Sequence, residues 1–195
     1  MITWILLRAA GIGAYVALFL SVAWGLVMTT GVVARRVSKP AANTFHAAVA
    51  TCGLALLGVH LGLLLVDPYM PFRWNQVLVP MASTYRPVAI AIGVGAMYLV
   101  VAVLATSWAR KRIGTRRWRR IHLLATPAFV LALLHGLFAG SDSGQTWAIA
   151  LYGATGSLTL FLVLVRGLTA GLRPAPREAP ARSLDARKRE PASAA

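Results

Sequence analysis

From Ala9 to Ala34 the chain runs 26 residues without a charged side chain. Four further stretches are uncharged apart from histidine: Ala41 to Val66, Pro87 to Trp108, Ile121 to Gly140 and Gln145 to Val165. Each is long enough to cross about 30 Å of hydrocarbon at about 1.5 Å per residue. In lipid every backbone N–H and C=O must be satisfied within the structure, which an α-helix does within its own segment. The expected fold is therefore all-α: a polytopic bundle of five transmembrane helices in a lipid bilayer. A composition 58% hydrophobic and only 13% charged agrees. The first run exceeds the roughly 7 to 15 residues of a signal-peptide core and has no basic stretch before it, so it reads as a retained helix.

The net charge of +15 is concentrated between the apolar runs. Arg35, Arg36 and Lys39 lie between the first two, and Arg110, Lys111, Arg112, Arg116, Arg117, Arg119 and Arg120 lie between the third and fourth. Seven more Lys and Arg follow from Arg166 onward, while the opposite side carries only Arg8, Arg73 and Arg86. By the positive-inside rule the N-terminus is outside and the C-terminus cytoplasmic. The charge therefore serves topology, and nucleic acid is not an expected partner. Residues 1–171 form the expected five-helix domain. Residues 172–195, with Pro174, Pro176, Pro180 and Pro191 among Arg, Ala and Glu, lack apolar periodicity and read as a disordered basic tail.

All four histidines lie in two of the apolar runs, His46 and His60 in the second, His122 and His135 in the fourth. An ionisable group at membrane depth is costly and points to function. Neutral imidazole is a frequent ligand of metals and of haem iron. A single cysteine, Cys52, excludes a disulfide framework and a C-x-x-C-H attachment motif, so any haem is b-type and held without a covalent link.

In the expected topology the second and fourth spans run in the same direction. His46 and His122 then share the cytoplasmic level, while His60 and His135 lie about 20 Å further along their helices. Facing imidazoles in a bundle interior supply both axial positions of a haem iron, so His46 with His122 and His60 with His135 predict two haem b. Fourteen residues return His60 to within about 40° of the His46 face, but thirteen leave His135 about 140° from His122 on an ideal helix. Pro127 lies between them and is able to re-phase the helix. Interhelical hydrogen bonding, a transition-metal site, and a haem-free transporter or scaffold are the alternatives. A metal transporter would be expected to carry acids along its route, and no Asp or Glu falls within a span.

The spacing His46-x13-His60 with His122-x12-His135, on helices separated by one span, resembles the ferric reductase-like transmembrane domain superfamily. That group includes ferric reductases, NADPH oxidases and the haem subunit of the bacterial periplasmic methionine-sulfoxide reductase system. Thr106-Ser107 through Lys111, Gly114, Trp118 and Ile121-His122 are similar to the last group's approach to its ligand helix. Arg86-Pro87 resembles its entry to the preceding helix. The resemblance covers about residues 8–165 and implies a multi-pass protein of the plasma membrane, the inner membrane of a bacterium. It also implies that Arg8 lies near the outer haem, as a corresponding arginine does in the oxidases.

Members commonly have six helices, whereas five spans are read here without the family's first. No flavin or NADPH domain and no strand-turn-helix G-x-G-x-x-G is recognised, so the expected donor is a separate cytoplasmic flavoprotein or flavin reductase. Arg73 and Arg86 are candidates for the outer propionates, with snorkelling to the interface as the alternative. Arg119, Arg120 and Lys39 are candidates for the inner ones. Phe129 stands midway between His122 and His135, either as a bridge or as a core residue. Gly53, Gly58 and Gly62 offer room for porphyrin faces or for helix packing. The expected function is transmembrane electron transfer, an oxidoreductase component that passes electrons to ferric chelate, oxygen or a periplasmic redox protein. The close alternative is a haem subunit serving one dedicated external enzyme.

Overall fold

A computed structural model describes residues 2–30 and 37–171, and the basic tail expected over 172–195 lies outside them. Its secondary structure is helical: α1 (Ile2–Thr30), α2 (Lys39–Val66), α3 (Trp74–Leu78), α4 (Pro87–Trp108), α5 (Arg110–Ile113), α6 (Thr115–His122), α7 (Ala125–Ala139) and α8 (Thr146–Gly171). Five spans are long and apolar enough to cross a membrane: α1, α2, α4, α6 with α7, and α8. The third begins and ends at the expected residues. The first starts seven residues earlier than its uncharged run, so Arg8 lies inside the helix rather than at its end.

Local chemistry accounts for the breaks. The Ser38 hydroxyl accepts from the Ala41 N–H at the start of α2, and Pro40 occupies the first turn, where its missing donor costs nothing. Pro87 opens α4 in the same way. Between α5 and α6, Gly114 adopts φ +82°, a conformation glycine reaches without a Cβ penalty, and the chain folds into a basic hairpin.

The helix that ends with His135 is broken just after His122. The Leu124 N–H donates to the Ile121 carbonyl (2.9 Å) and the Thr126 N–H to that of Leu123 (3.4 Å), both three residues back. Pro127, in the first turn of α7, has no N–H to bond the Leu123 carbonyl, which makes this tighter winding available. Three residues per turn instead of 3.6 adds about 20° per residue. Over two or three residues this removes roughly 40–60° of the ideal offset between His122 and His135.

α1 is the central helix: it packs along α2 on one side and against α7 and α8 on the other, and α4 packs on α7. Tyr15, Val22, Leu26, Phe129 and Leu162 form the buried core of α1, α7 and α8. α2 leans chiefly on α1, and only Ala42 is buried along its 28 residues. The space on its other side is a cavity. Away from the basic hairpin, Asp67, 1% exposed, accepts from the Thr3 hydroxyl (3.0 Å) and the Met70 N–H (3.3 Å) and joins the start of α1 to the end of α2. Arg8 forms an ion pair with Asp142 at this same end.

Candidate functional site

A partly open cavity of about 1060 Å³ lies between α1, α2, α4, α6 and α7, and all four histidines line it. It is at the top of the roughly 300–1,000 Å³ range of small-molecule sites. At the hairpin end, the His46 and His122 rings face one another with centroids 6.0 Å apart and planes at 67°. At the far end, His60 and His135 line the same cavity.

The Nδ1 atoms of all four rings are engaged on the helix walls. His60 Nδ1–H donates to the Leu7 carbonyl (3.0 Å) and His135 Nδ1–H to the Ala89 carbonyl (2.8 Å). A carbonyl only accepts, so the proton of each neutral ring is on Nδ1 and Nε2 keeps its lone pair. His46 Nδ1 lies 3.4 Å from the Ser21 hydroxyl, and His122 Nδ1 lies 3.5 Å from that of Ser107. Ser107 gives its own proton to the Val103 carbonyl (2.7 Å) and accepts from Trp118 Nε1–H (3.1 Å), leaving its oxygen as the acceptor toward His122. Outer hydrogen bonds of this kind fix the tautomer and orientation of metal-binding histidines.

The walls make room for the rings with glycine. A β-carbon on Gly93 would fall 2.5 Å from His135 Nδ1, one on Gly11 2.9 Å from His60 Nδ1, and one on Gly25 3.4 Å from His46 Cε1. Each glycine stands four residues after the hydrogen-bond partner of its histidine: Leu7 before Gly11, Ser21 before Gly25, Ala89 before Gly93. Residues four apart sit one above the other on a helix face, so a side chain at the glycine position would cover that partner. The two seats on α1 are also spaced as His46 and His60 are on α2, which lets one pair of helices hold both histidines.

Of the other sequence-predicted residues, some lie on this wall and some do not. Arg8 lines the cavity, with its guanidinium over the Trp4 ring (5.7 Å to the centroid) and paired with Asp142. Lys39, Arg110, Arg119 and Arg166 line the hairpin end, whereas Arg120 is not on the wall. Arg73 and Arg86 are also off the wall; Arg86 donates to the Phe138 carbonyl (2.6 Å), and the Arg73 backbone N–H donates to Gln76 Oε1. Phe129, 1% exposed, stacks on Tyr15 (5.6 Å, 27°) and packs by Phe19 in the α1–α7–α8 core, away from the wall. Gly53 packs against Ala17 of α1, while Gly58 and Gly62 face open space. The glycines that make room for the imidazole rings are Gly11, Gly25 and Gly93, which sequence reasoning missed. The signal was present: Gly11 and Gly25 repeat the 14-residue step of His46 and His60.

A chain of this build is a multi-pass membrane protein with a histidine-lined interior. The family model described as ferric reductase like transmembrane component matches residues 10–133, and the chain belongs to that family. The matched region contains His46, His60 and His122 and stops two residues before His135. Membership suggests transmembrane electron transfer as the class of function. No curated protein and no solved structure matches the chain.

Proposed function

We propose that this protein is a two-haem b-type cytochrome of the plasma membrane, the inner membrane of a bacterium, passing electrons from a cytoplasmic reductant to an external acceptor. The observation that carries this reading is the His46–His122 pair, 6.0 Å apart with both Nδ1 atoms turned to the walls. His46 and His122 hold the inner haem, and His60 and His135 the outer one. When bound, the haems supply two one-electron carriers at two depths of the bilayer. The chain contributes the Nε2 ligands and a wall of apolar side chains that keeps ions out of the route.

Lys39, Arg110, Arg119 and Arg166 at the inner mouth would be donors for the inner propionates, and Arg8 would serve the outer mouth only by exchanging Asp142 for a propionate. Arg73 and Arg86 are the further outer candidates, Arg86 by giving up its bond to the Phe138 carbonyl. The proposed orientation, N-terminus outside, rests on the cations of loops one and three. Those on α5 and α6 are exposed and suit an acidic flavoprotein as donor.

A second reading, in which a dedicated periplasmic oxidoreductase is the acceptor in place of ferric chelate or oxygen, is favoured by one observation. Among the described residues, the only cation lining the outer mouth is Arg8, already paired with Asp142, so an anionic chelate meets no unpaired charge on the wall itself and would depend on Arg73 or Arg86 swinging in. A reduced-minus-oxidised spectrum with pyridine haemochrome quantitation tests the haem reading. A folded but colourless protein overturns it in favour of a transporter or scaffold, and reduction assays with each acceptor class separate the two forms of the function.

A further inference from the structure

We propose that Gly11 and Gly93 on the outer side, and Ser107 with Trp118 on the inner side, are positioning residues that hold the two ligand pairs by different means. The outer pair is locked to backbone, and the inner pair is tuned by side chains. This inference rests on the two-haem reading and deepens it.

The outer lock consists of a carbonyl and the gap above it. Leu7 and Ala89 carbonyls belong to helix backbone and cannot turn away, and His60 and His135 donate to them at 3.0 and 2.8 Å. Gly11 and Gly93 leave those carbonyls accessible, because a β-carbon on either would lie within 3.0 Å of the ring it faces. Substitution must push the imidazole off its acceptor and change its plane. No polar side chain takes part in either bond, so the outer ligands are insensitive to changes in side-chain rotamer elsewhere.

The inner pair is held by hydroxyls at 3.4 and 3.5 Å, longer and weaker bonds than those of the outer pair. Ser107 is itself placed by Trp118, whose Nε1–H it accepts at 3.1 Å and whose ring lies 4.9 Å from that of His122 at 31°. Arg110 covers Trp118, its guanidinium 4.2 Å from the ring centroid. A chain of contacts thus runs from the basic hairpin through Trp118 and Ser107 to the inner ligand. A stronger acceptor at Nδ1 makes the imidazole a better electron donor and favours ferric iron, so a weaker one raises the reduction potential.

The test uses the purified full-length protein with its haem, read by haem content, redox titration and the low-spin EPR signal of each haem. Gly93→Ala and Gly11→Ala are expected to lose the outer haem or shift its EPR signal and midpoint, leaving the inner ones unchanged. Ser107→Ala and Trp118→Phe are expected to raise the inner midpoint alone, Ser107→Asp to lower it, and Ser107→Thr to restore the wild-type value. Gly153→Ala, at a glycine of α8 with open space around it, controls for the effect of a methyl group. Should a Gly93 variant fail to fold, Gly11→Ala still decides the outer pair, and Ser107→Ala, which removes only a hydroxyl, decides the inner one. Wild type with two haems whose signals do not move in these variants, or move together, overturns this inference alone. Wild type without haem overturns the functional reading as well.

Discussion

His46 of α2 and His122 at the end of α6 meet ring to ring although their helices scarcely touch, because the cavity separates them and α1 and α4 orient them from behind. This contact pairs the two histidines nearest the basic hairpin.

Purified protein is expected to contain two low-spin b-type haems per chain. Pyridine haemochrome quantitation against protein concentration gives the ratio directly. A ratio of one would leave a single pair as ligands.

The pairing makes a genetic prediction. His46→Ala and His122→Ala should each abolish the same redox wave, and His60→Ala and His135→Ala the other. If His46→Ala proved equivalent to His135→Ala, α2 and α7 would not present their ligands in parallel, and the topology drawn from the basic loops would be wrong.

Isolated protein is expected not to oxidise NADH or NADPH, since the described residues form helices only and provide no strand-turn-helix nucleotide site. With a flavin reductase and NADPH, haem reduction in oriented vesicles should fall about tenfold at low salt when Arg112, Arg116 and Arg117 are changed to Gln, the lower end of electrostatic steering effects. The difference should vanish at high salt. Orientation must be verified in the variant, because these cations also direct insertion. A rate unmoved by both charge and salt would point to a quinol or an external donor.

Phe129→Leu should leave both haem spectra and midpoints unchanged while lowering the thermal midpoint. Phe129→Ala should destabilise by about 3–5 kcal/mol, the cost of emptying a packed aromatic site. A shift in either midpoint without loss of stability would return Phe129 to the electron path.

The five spans, the third of them to the residue, and the grouping of the histidines were legible in the sequence, because lipid imposes one rule on every residue of a span and charge imposes another on every loop. The family was legible too, through His46, His60, His122 and His135 together with Trp118. What holds the four imidazoles was not. Leu7 and Ala89 contribute through backbone carbonyls, Gly11 and Gly93 through the absence of an atom, and neither contribution has a side chain to read. The phase of His135 was equally hidden: an ideal helix turns it away from the His122 face, and the tightened turn after His122, which Pro127 leaves free to form, recovers part of that angle. Hydropathy and charge act on the chain locally and are written in composition. Which helix face meets which, and at what rotation, depends on packing between segments distant in sequence, and that was decided by the tertiary structure alone.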